Sequence, residues 1–272
     1  MKRLQKYLVL SYLIFLLGLR LAGNAAPTSA DALLLLLSYL LPLLLFFLLT
    51  RGEVTGGEIS PLRIEKERLF AVLPFFFPTV LLLFFLSALT SLFLGAFGLS
   101  SSTALTGNAL TILLDAVLFP AILEEILFRY LPLSALAPYG KRTAVLFSAL
   151  CFSLAHCDLF QIPYAFLAGI LFGAIDLAAG SVLPSLLFHI GNNALSVLWI
   201  LYSPAPLFAL LFFLSLLLLS LLSLLIVFYK RDGYRRVIIE NFSQKEKYIF
   251  TKYIIPYAAL SIFYASLRLF GA

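Results

Sequence analysis

The sequence consists of long apolar segments separated by short polar ones, and this pattern restricts the chain to a small set of folds. Inside a bilayer every backbone N–H and C=O needs an internal partner, which only helices and closed barrels supply. The segments are about 20 residues long, the length a helix needs to cross a membrane. Hydrophobic residues make up 62% of the chain and charged residues 12%. We therefore predict an all-α, polytopic membrane protein whose residues 1–272 form a single integral membrane domain.

Hydropathy and turn residues together predict eight membrane spans, at about 7–19, 33–50, 69–94, 109–137, 143–157, 162–178, 182–202 and 207–229. The last segment, 253–272, is apolar but short and contains Pro256 and Arg268. It is either a ninth span or a helix lying in the membrane interface. The basic start, the apolar stretch and the small residues 22–26 also fit a cleaved signal peptide.

Positive charge gathers in four segments, at 2–6, 51–68, 141–142 and 230–236. Lys and Arg are enriched in cytoplasmic loops, and these four segments alternate with the predicted spans so that one orientation satisfies them all. We expect both ends of the eight-span bundle to be cytoplasmic, in the cytoplasmic (inner) membrane if the source is bacterial. The net charge of +6 therefore indicates contact with membrane lipid and not with nucleic acid.

The fourth span carries three charged side chains, Glu124, Glu125 and Arg129, within an otherwise apolar run. Each would cost at least about 2.5–3.5 kcal/mol at the centre of a bilayer helix, so their retention suggests a function. Glu125 and Arg129 are four residues apart and share a helix face, with the acid on the N-terminal side. Glu124 is rotated by about 100° and faces elsewhere. We expect Glu125 to be neutralised by Arg129, which leaves Glu124 for another task.

The chain has two histidines, His156 and His189, and both fall in predicted spans. Helical spacing places Phe152 on the same face as His156, and Asn193 on the same face as His189. Glu124 and His156 both lie roughly 20–25 Å along their helices from the turn at 138–140. Buried ionisable groups in membranes face the bundle interior or a water-filled cavity, so we expect a single shared site.

Such a site contains the groups needed for hydrolysis. A glutamate held away from bulk solvent can act as general base towards a water molecule, and a neighbouring histidine can hold that water or protonate a leaving amine. A histidine and an asparagine one turn apart can donate hydrogen bonds to a developing oxyanion. Taken singly, each group also has a structural interpretation, because buried polar side chains often join membrane helices to one another.

The three motifs in this order, Glu124-Glu125-x-x-x-Arg129, Phe152-x-x-x-His156 and His189-x-x-x-Asn193, resemble those of the CAAX protease and bacteriocin-processing family, also called Abi. That family includes the Ras-converting prenyl-protein endopeptidases. The resemblance covers residues 110–202, the core of the chain. It implies an intramembrane endopeptidase acting on a prenylated CAAX-like protein or a bacteriocin-like peptide precursor.

By the same resemblance each motif residue receives a role. Glu124 would activate water, His156 would assist it, and His189 with Asn193 would stabilise the oxyanion. Glu125, Arg129 and Phe152 would be supporting residues. Tyr130 departs from the glycine that many members have after the arginine.

Several other chemistries compete with this interpretation. No cofactor is expected, but two glutamates and two histidines leave a catalytic divalent metal such as zinc open. The zinc-protease motif His-Glu-x-x-His and the Gly-x-Ser-Gly of membrane serine proteases are absent. Asp115 and Asp176 lack the Gly-x-Gly-Asp setting of membrane aspartyl proteases, and Cys157 points away from His156 on a helix. Outside catalysis, the alternatives are a membrane scaffold or immunity protein and a proton-coupled transporter.

Overall fold

The computed structural model describes residues 1–23, 29–50, 59–100, 105, 107–231 and 252–269, and it confirms the all-α prediction for these ranges. Within these ranges nine helices follow one another: α1 Lys2–Gly23, α2 Ser29–Thr50, α3 Lys66–Gly95, α4 at 109–139, α5 Lys141–Ala155, α6 Ile162–Ala179, α7 Leu183–Tyr202, α8 Pro206–Tyr229 and α9 Ile254–Leu269. Most of the proposed signal cleavage segment, residues 51–58 of the basic segment 51–68 and most of the basic tail lie outside the described residues.

Four of these helices, α3, α6, α7 and α8, are long and apolar enough to cross a membrane on their own. Two shorter apolar helical stretches, Leu36–Thr50 and Ile254–Leu267, accompany them. The chain is therefore a multi-pass integral membrane protein. The count of eight spans remains a prediction, and α9 supplies the helix expected near the end of the chain.

Two wide π-helical turns interrupt α4, at Leu113–Leu118 and Ile126–Tyr130. Each lies just before a proline, Pro120 or Pro132. A proline ring clashes with the carbonyl four residues earlier and donates no hydrogen bond. In the turn before it, the backbone hydrogen bonds therefore join residues five apart instead of four apart. The adjoining residue Leu131 accordingly donates its N–H to the carbonyl of Ile126.

Side chains from α1 and α5 bind the carbonyls that Pro132 leaves without a helical donor. The hydroxyl of Tyr12 donates to the Leu127 carbonyl at 3.1 Å. The hydroxyl of Ser148 donates to the Phe128 carbonyl. An unpaired carbonyl in a membrane interior costs several kcal/mol, so these bonds tie α1 and α5 to the region of α4 that carries the charges.

Helix α5 ends earlier than expected, and this corrects the position of His156. The prediction placed the helix end at Cys157, but the helix stops at Ala155 and His156 is its C-terminal cap. Cys157 has a φ of 47°, in the left-handed region that commonly ends a helix. A glycine usually occupies this conformation, so a cysteine at this position does not predict the end of a helix.

Close backbone packing fixes α5 against α6, and a turn fixes α6 against α7. A Cβ atom at Gly169 would lie 2.6 Å from the Cα of Ala149, so only glycine permits this approach. Gly180, with a φ of 71°, ends α6, and the adjoining Ser181 forms an isolated parallel bridge with Ser60. These contacts hold the beginning of α7 beside α4, where the charged residues lie.

Candidate active site

Glu125 is the centre of a buried polar network that joins α4 to α7. Its Oε1 lies 2.8 Å from Nδ1 of His189, and its Oε2 accepts a hydrogen bond of 2.7 Å from the Ser185 hydroxyl. The same Oε2 is 3.8 Å from Nε of Arg129. With only 2% of its side chain exposed, this carboxylate is supported by three neighbours and has both oxygens occupied.

Arg129 is completely buried and pairs with Glu125 as a charge neighbour, at a separation longer than a hydrogen bond. Its Nη1 donates to the Phe128 carbonyl at 3.1 Å. Its guanidinium carbon lies 4.2 Å from the centroid of the Phe152 ring, in a cation–π contact. The structure therefore brings together the Glu125–Arg129 pair that helical spacing predicted and adds Phe152 to it.

Glu124 faces a different environment, as predicted from its rotation about the helix. Its Oε2 is 3.7 Å from Nε2 of His189, and 17% of its side chain is exposed. The phenol of Tyr39, on α2, lies near the Glu124 carboxylate. His189 thus lies between the two glutamates, with one ring nitrogen directed at each.

The Phe152 ring lies between the two histidines and contacts both of them. It makes edge contacts with His156, at 4.9 Å between ring centroids, and with His189, at 5.8 Å. Nδ1 of His156 is 2.9 Å from the Phe152 carbonyl. A carbonyl only accepts hydrogen bonds, so Nδ1 carries the proton and the lone pair of a neutral His156 ring lies on Nε2. The Phe-x-x-x-His motif therefore sets both the position and the tautomer of His156.

Asn193 follows His189 by one turn of α7 and is half-buried. Its side-chain amide makes no hydrogen bond with any residue that the structure describes. The amide therefore has its two donors available. Asn193 and His189 lie on the same face of α7, as the spacing predicted.

Sequence reasoning missed three residues of this network, namely Tyr39, Asp176 and Ser185. Asp176 was considered only as an aspartyl-protease residue, yet it is fully buried and its Oδ1 accepts the backbone N–H of Ser185 at 3.1 Å. Ser185 lies four residues before His189 on the same helix, a spacing that could have identified it. Tyr39 left no comparable signal, because it reaches the site from α2.

The arrangement does not suit a catalytic metal ion. A catalytic zinc takes three protein ligands. No group of three or more His, Cys, Asp or Glu side chains within the described residues is arranged to hold one. Both oxygens of Glu125 and the Nδ1 of His189 are already engaged in hydrogen bonds with other residues of the site.

Comparison with known proteins supports the interpretation of the motifs. Residues 106–195 match the family model described as type II CAAX prenyl endopeptidase Rce1-like, a stretch covering about a third of the chain. It includes all three motifs, from Glu124 to Asn193. Neither the curated proteins nor the solved structures yield a significant match. The family implies peptidase activity, and residues 106–195 of this chain form a domain of the Rce1-like type II CAAX prenyl endopeptidase family.

Proposed function

We propose that the protein is an intramembrane endopeptidase of the glutamate type, which hydrolyses a peptide bond in a membrane-associated protein or peptide. One observation carries the proposal. Of two adjacent glutamates on α4, Glu125 has both oxygens engaged, whereas Glu124 is partly exposed and lies 3.7 Å from Nε2 of His189. A general base needs a carboxylate that is accessible and not fully engaged by its neighbours, and Glu124 is the glutamate that fits this description.

In the proposed reaction Glu124 removes a proton from a water molecule, whose oxygen attacks the carbonyl carbon of the scissile bond. The carbonyl oxygen becomes an oxyanion in a tetrahedral intermediate. When the intermediate collapses, the C–N bond breaks and the leaving nitrogen takes the proton held by Glu124. The products are a carboxylic acid and an amine, and Glu124 returns to its ionised form.

The oxyanion is held by the Asn193 amide and by Nε2 of His189. Since Nδ1 of His189 is directed at Glu125, the ring can donate through Nε2 only when both nitrogens carry protons. The buried Glu125 carboxylate is the counter-ion for that state, and Arg129 balances the charge of Glu125. This gives Glu125 and Arg129 a role in positioning His189.

His156 assists Glu124 by holding the attacking water. With its Nδ1 proton directed at the Phe152 carbonyl, its Nε2 can accept a hydrogen bond from that water. Phe152 separates the two histidines and covers Arg129, so that the charged guanidinium stays away from the reacting groups.

The proposed substrate is either a prenylated protein with a CAAX-like end or an unprenylated peptide precursor held at the membrane. We further propose eight spans with the basic segments on the cytoplasmic side, in the cytoplasmic membrane of a bacterial host. The bridge between Ser60 and Ser181 supports this topology, because both residues belong to turns predicted on that side. In a Cys-free background Lys141→Cys should resist an impermeant thiol reagent added to intact cells. Labelling of this cysteine from outside the cell would contradict the proposed topology.

The function is tested by cleavage of an internally quenched peptide by purified protein in phosphatidylcholine vesicles. One peptide carries an S-farnesyl cysteine four residues from its carboxyl end, and a second has the same sequence with a fatty acyl anchor. Glu124→Gln should reduce cleavage to background, because glutamine cannot accept the proton. Glu67→Gln, which changes an exposed glutamate, is the matched control and should cleave normally.

If Glu124→Gln keeps the full biological effect in cells and the full rate in vesicles, the enzyme proposal fails. A scaffold, an immunity protein or a proton-coupled transporter would then be the better interpretation. A rate seen only with the farnesylated peptide would identify the prenyl group as part of the substrate.

A further inference from the structure

Behind Glu125 lies a second buried pair, Asp176 and Ser185, which lies outside the three motifs. Asp176 is near the end of α6, Ser185 is in the first turn of α7, and both are fully buried. Ser185 contacts Asp176 through its backbone N–H at 3.1 Å and Glu125 through its hydroxyl at 2.7 Å. The pair therefore contacts the site through Glu125.

We propose that Asp176 and Ser185 are positioning residues for the catalytic His189. In this relay Asp176 fixes the backbone of Ser185, Ser185 fixes the Glu125 carboxylate, and Glu125 fixes the imidazole so that Nε2 points to Glu124. The inference rests on the proposed function, and it names residues that the reaction needs beyond those of the motifs.

Geometry supports the relay at its first link. The N–H of Ser185 is one of the helix-initiating donors of α7 that have no partner within the helix. Asp176 accepts it, although these residues are nine apart and belong to different helices. The Asp176 backbone carbonyl also accepts the Gly180 N–H at 2.7 Å. The end of α6 and the start of α7 are therefore joined at a single residue.

The second link depends on where the Ser185 hydroxyl sends its one proton. The hydroxyl lies 2.7 Å from Oε2 of Glu125 and 3.0 Å from the carbonyl of Val182. Hydrogen bonds to ionised acceptors are shorter and stronger than neutral ones, and the shorter contact is the one to Glu125. The Ser185 hydroxyl therefore donates its hydrogen bond to Oε2 of Glu125. Oε1 of Glu125 remains available to accept the Nδ1–H of His189.

A helix cap alone does not account for this arrangement. A cap requires one carboxylate oxygen, yet the second oxygen of Asp176, Oδ2, is also buried and has no hydrogen-bond partner within the described residues. Nε and Nη2 of Arg129 are likewise buried without a partner there. Leaving such groups unpaired is costly. Their retention around one carboxylate indicates that the network serves the site as well as the fold.

The deciding experiment measures kcat and KM for Ser185→Ala with the quenched peptides in vesicles. This variant keeps the backbone N–H and hence the bond to Asp176, so the fold should be retained. Loss of a hydrogen bond to a charged group should lower kcat about 10- to 100-fold. KM should stay within about threefold, because a positioning residue acts on the reacting geometry. Ser185→Thr, which restores a hydroxyl, should recover most of the rate.

Two controls separate a positioning role from a structural one. Ser220→Ala removes another buried hydroxyl, one that bonds only within α8, and should leave kcat within about twofold. Asp176→Leu should lower kcat, and the double variant Asp176→Leu, Ser185→Ala should be no slower than the slower single variant, since the two residues act in series. If Asp176→Leu fails to fold, the comparison of Ser185→Ala with Ser220→Ala decides alone.

The outcomes distinguish this proposal from the proposed function. If the wild type cleaves, Glu124→Gln is inactive and Ser185→Ala behaves like Ser220→Ala, the relay is wrong and the protease assignment stands. Multiplicative losses in the double variant would also overturn the relay. If Glu124→Gln remains active, the proposed function fails and the relay fails with it.

Discussion

Two neighbouring residues of α4, Glu124 and Glu125, have the same side chain and opposite surroundings. Glu125 is 2% exposed, and its oxygens contact His189, Ser185 and Arg129. Glu124 is 17% exposed, and its carboxylate lies beside Nε2 of the same histidine. A rotation of about 100° along one helix is enough to produce this difference.

The comparison shows that two adjacent glutamates can be suited to different tasks when only one of them is fully engaged by its neighbours. A carboxylate whose oxygens are all engaged cannot accept a proton without breaking a bond, so Glu125 is suited to holding His189. A carboxylate with a free lone pair can accept one, and Glu124 is placed for that task. The four predictions below test this division, beginning with the largest expected effect.

Removing the charge neighbour of the buried glutamate should damage the fold. Arg129→Ala leaves Glu125 without its cation and should lower the free energy of unfolding by about 3–5 kcal/mol, as when one partner of a buried pair is lost. Thermal unfolding in detergent would measure this. The matched control is Arg68→Ala, which breaks the exposed pair formed by Arg68 and Glu65 at 2.9 Å and should cost at most about 1 kcal/mol. Equal losses in the two variants would contradict the comparison.

Removing the proposed oxyanion donor should affect the rate and leave the fold intact. Asn193→Ala should lower kcat by roughly 10²–10³ with KM changed by less than about threefold, because the donor acts mainly in the transition state. Peptide cleavage in vesicles is the measurement. Asn192→Ala, which alters the adjacent amide on another face of α7, should stay within about threefold of wild type. A rise in KM at constant kcat would assign Asn193 to substrate binding instead.

Removing the contact that α2 makes with the partly exposed glutamate should have a smaller effect. Tyr39→Phe deletes the hydroxyl beside Glu124 and keeps the ring, which packs on Phe15 at 4.9 Å. We expect kcat to fall about tenfold, the loss expected when a phenol that can donate to a neighbouring carboxylate is removed. Tyr7→Phe, whose hydroxyl contacts Arg3 near the surface, should have no measurable effect on the rate. Equal rates for both variants would show that α2 does not contribute to the reaction.

Removal of metal ions should have the smallest effect. Because Glu125 and one nitrogen of His189 are engaged with each other, the site lacks three adjacent ligands for zinc. Cleavage measured after incubation with EDTA or 1,10-phenanthroline should therefore remain within about twofold of the untreated rate. A loss reversed by added zinc would show that the glutamates and His189 rearrange around a metal.

How much could be predicted from the sequence differs between the helices and the site. Helix positions followed from apolar segments, and α6, α7 and α8 begin and end within one residue of the expected bounds. The π-helical turns of α4 were not predicted, although Pro120 and Pro132 were visible. The early end of α5 depends on a left-handed Cys157, a conformation that no sequence signal marked.

Within the site, contacts along one helix were predictable and contacts between helices were not. The separation of Glu124 from the Glu125–Arg129 pair follows from helical geometry alone. The contact between Glu125 and Ser185 joins residues 60 positions apart, and it depends on how α7 packs on α4. A spacing rule carries no information about such packing: the spacing of Ser185 could place it on the face of His189, but neither its contact with Glu125 nor the approach of Tyr39 from α2 could be predicted.

The short α5 has a consequence for the supply of water to a reaction that consumes it. At 15 residues the helix rises about 22 Å, roughly 8 Å less than the hydrocarbon core of a bilayer. With Lys141 at the cytoplasmic surface, as the charges predict, α5 stops below the opposite surface at His156. The turn that follows is half-buried and polar, with Asp158 bonded to Gln161. Irregular backbone at such a depth must be packed in protein or hydrated. In the proposed hydrolysis, the early end of α5 would shorten the path that a water molecule takes from that surface to Glu124.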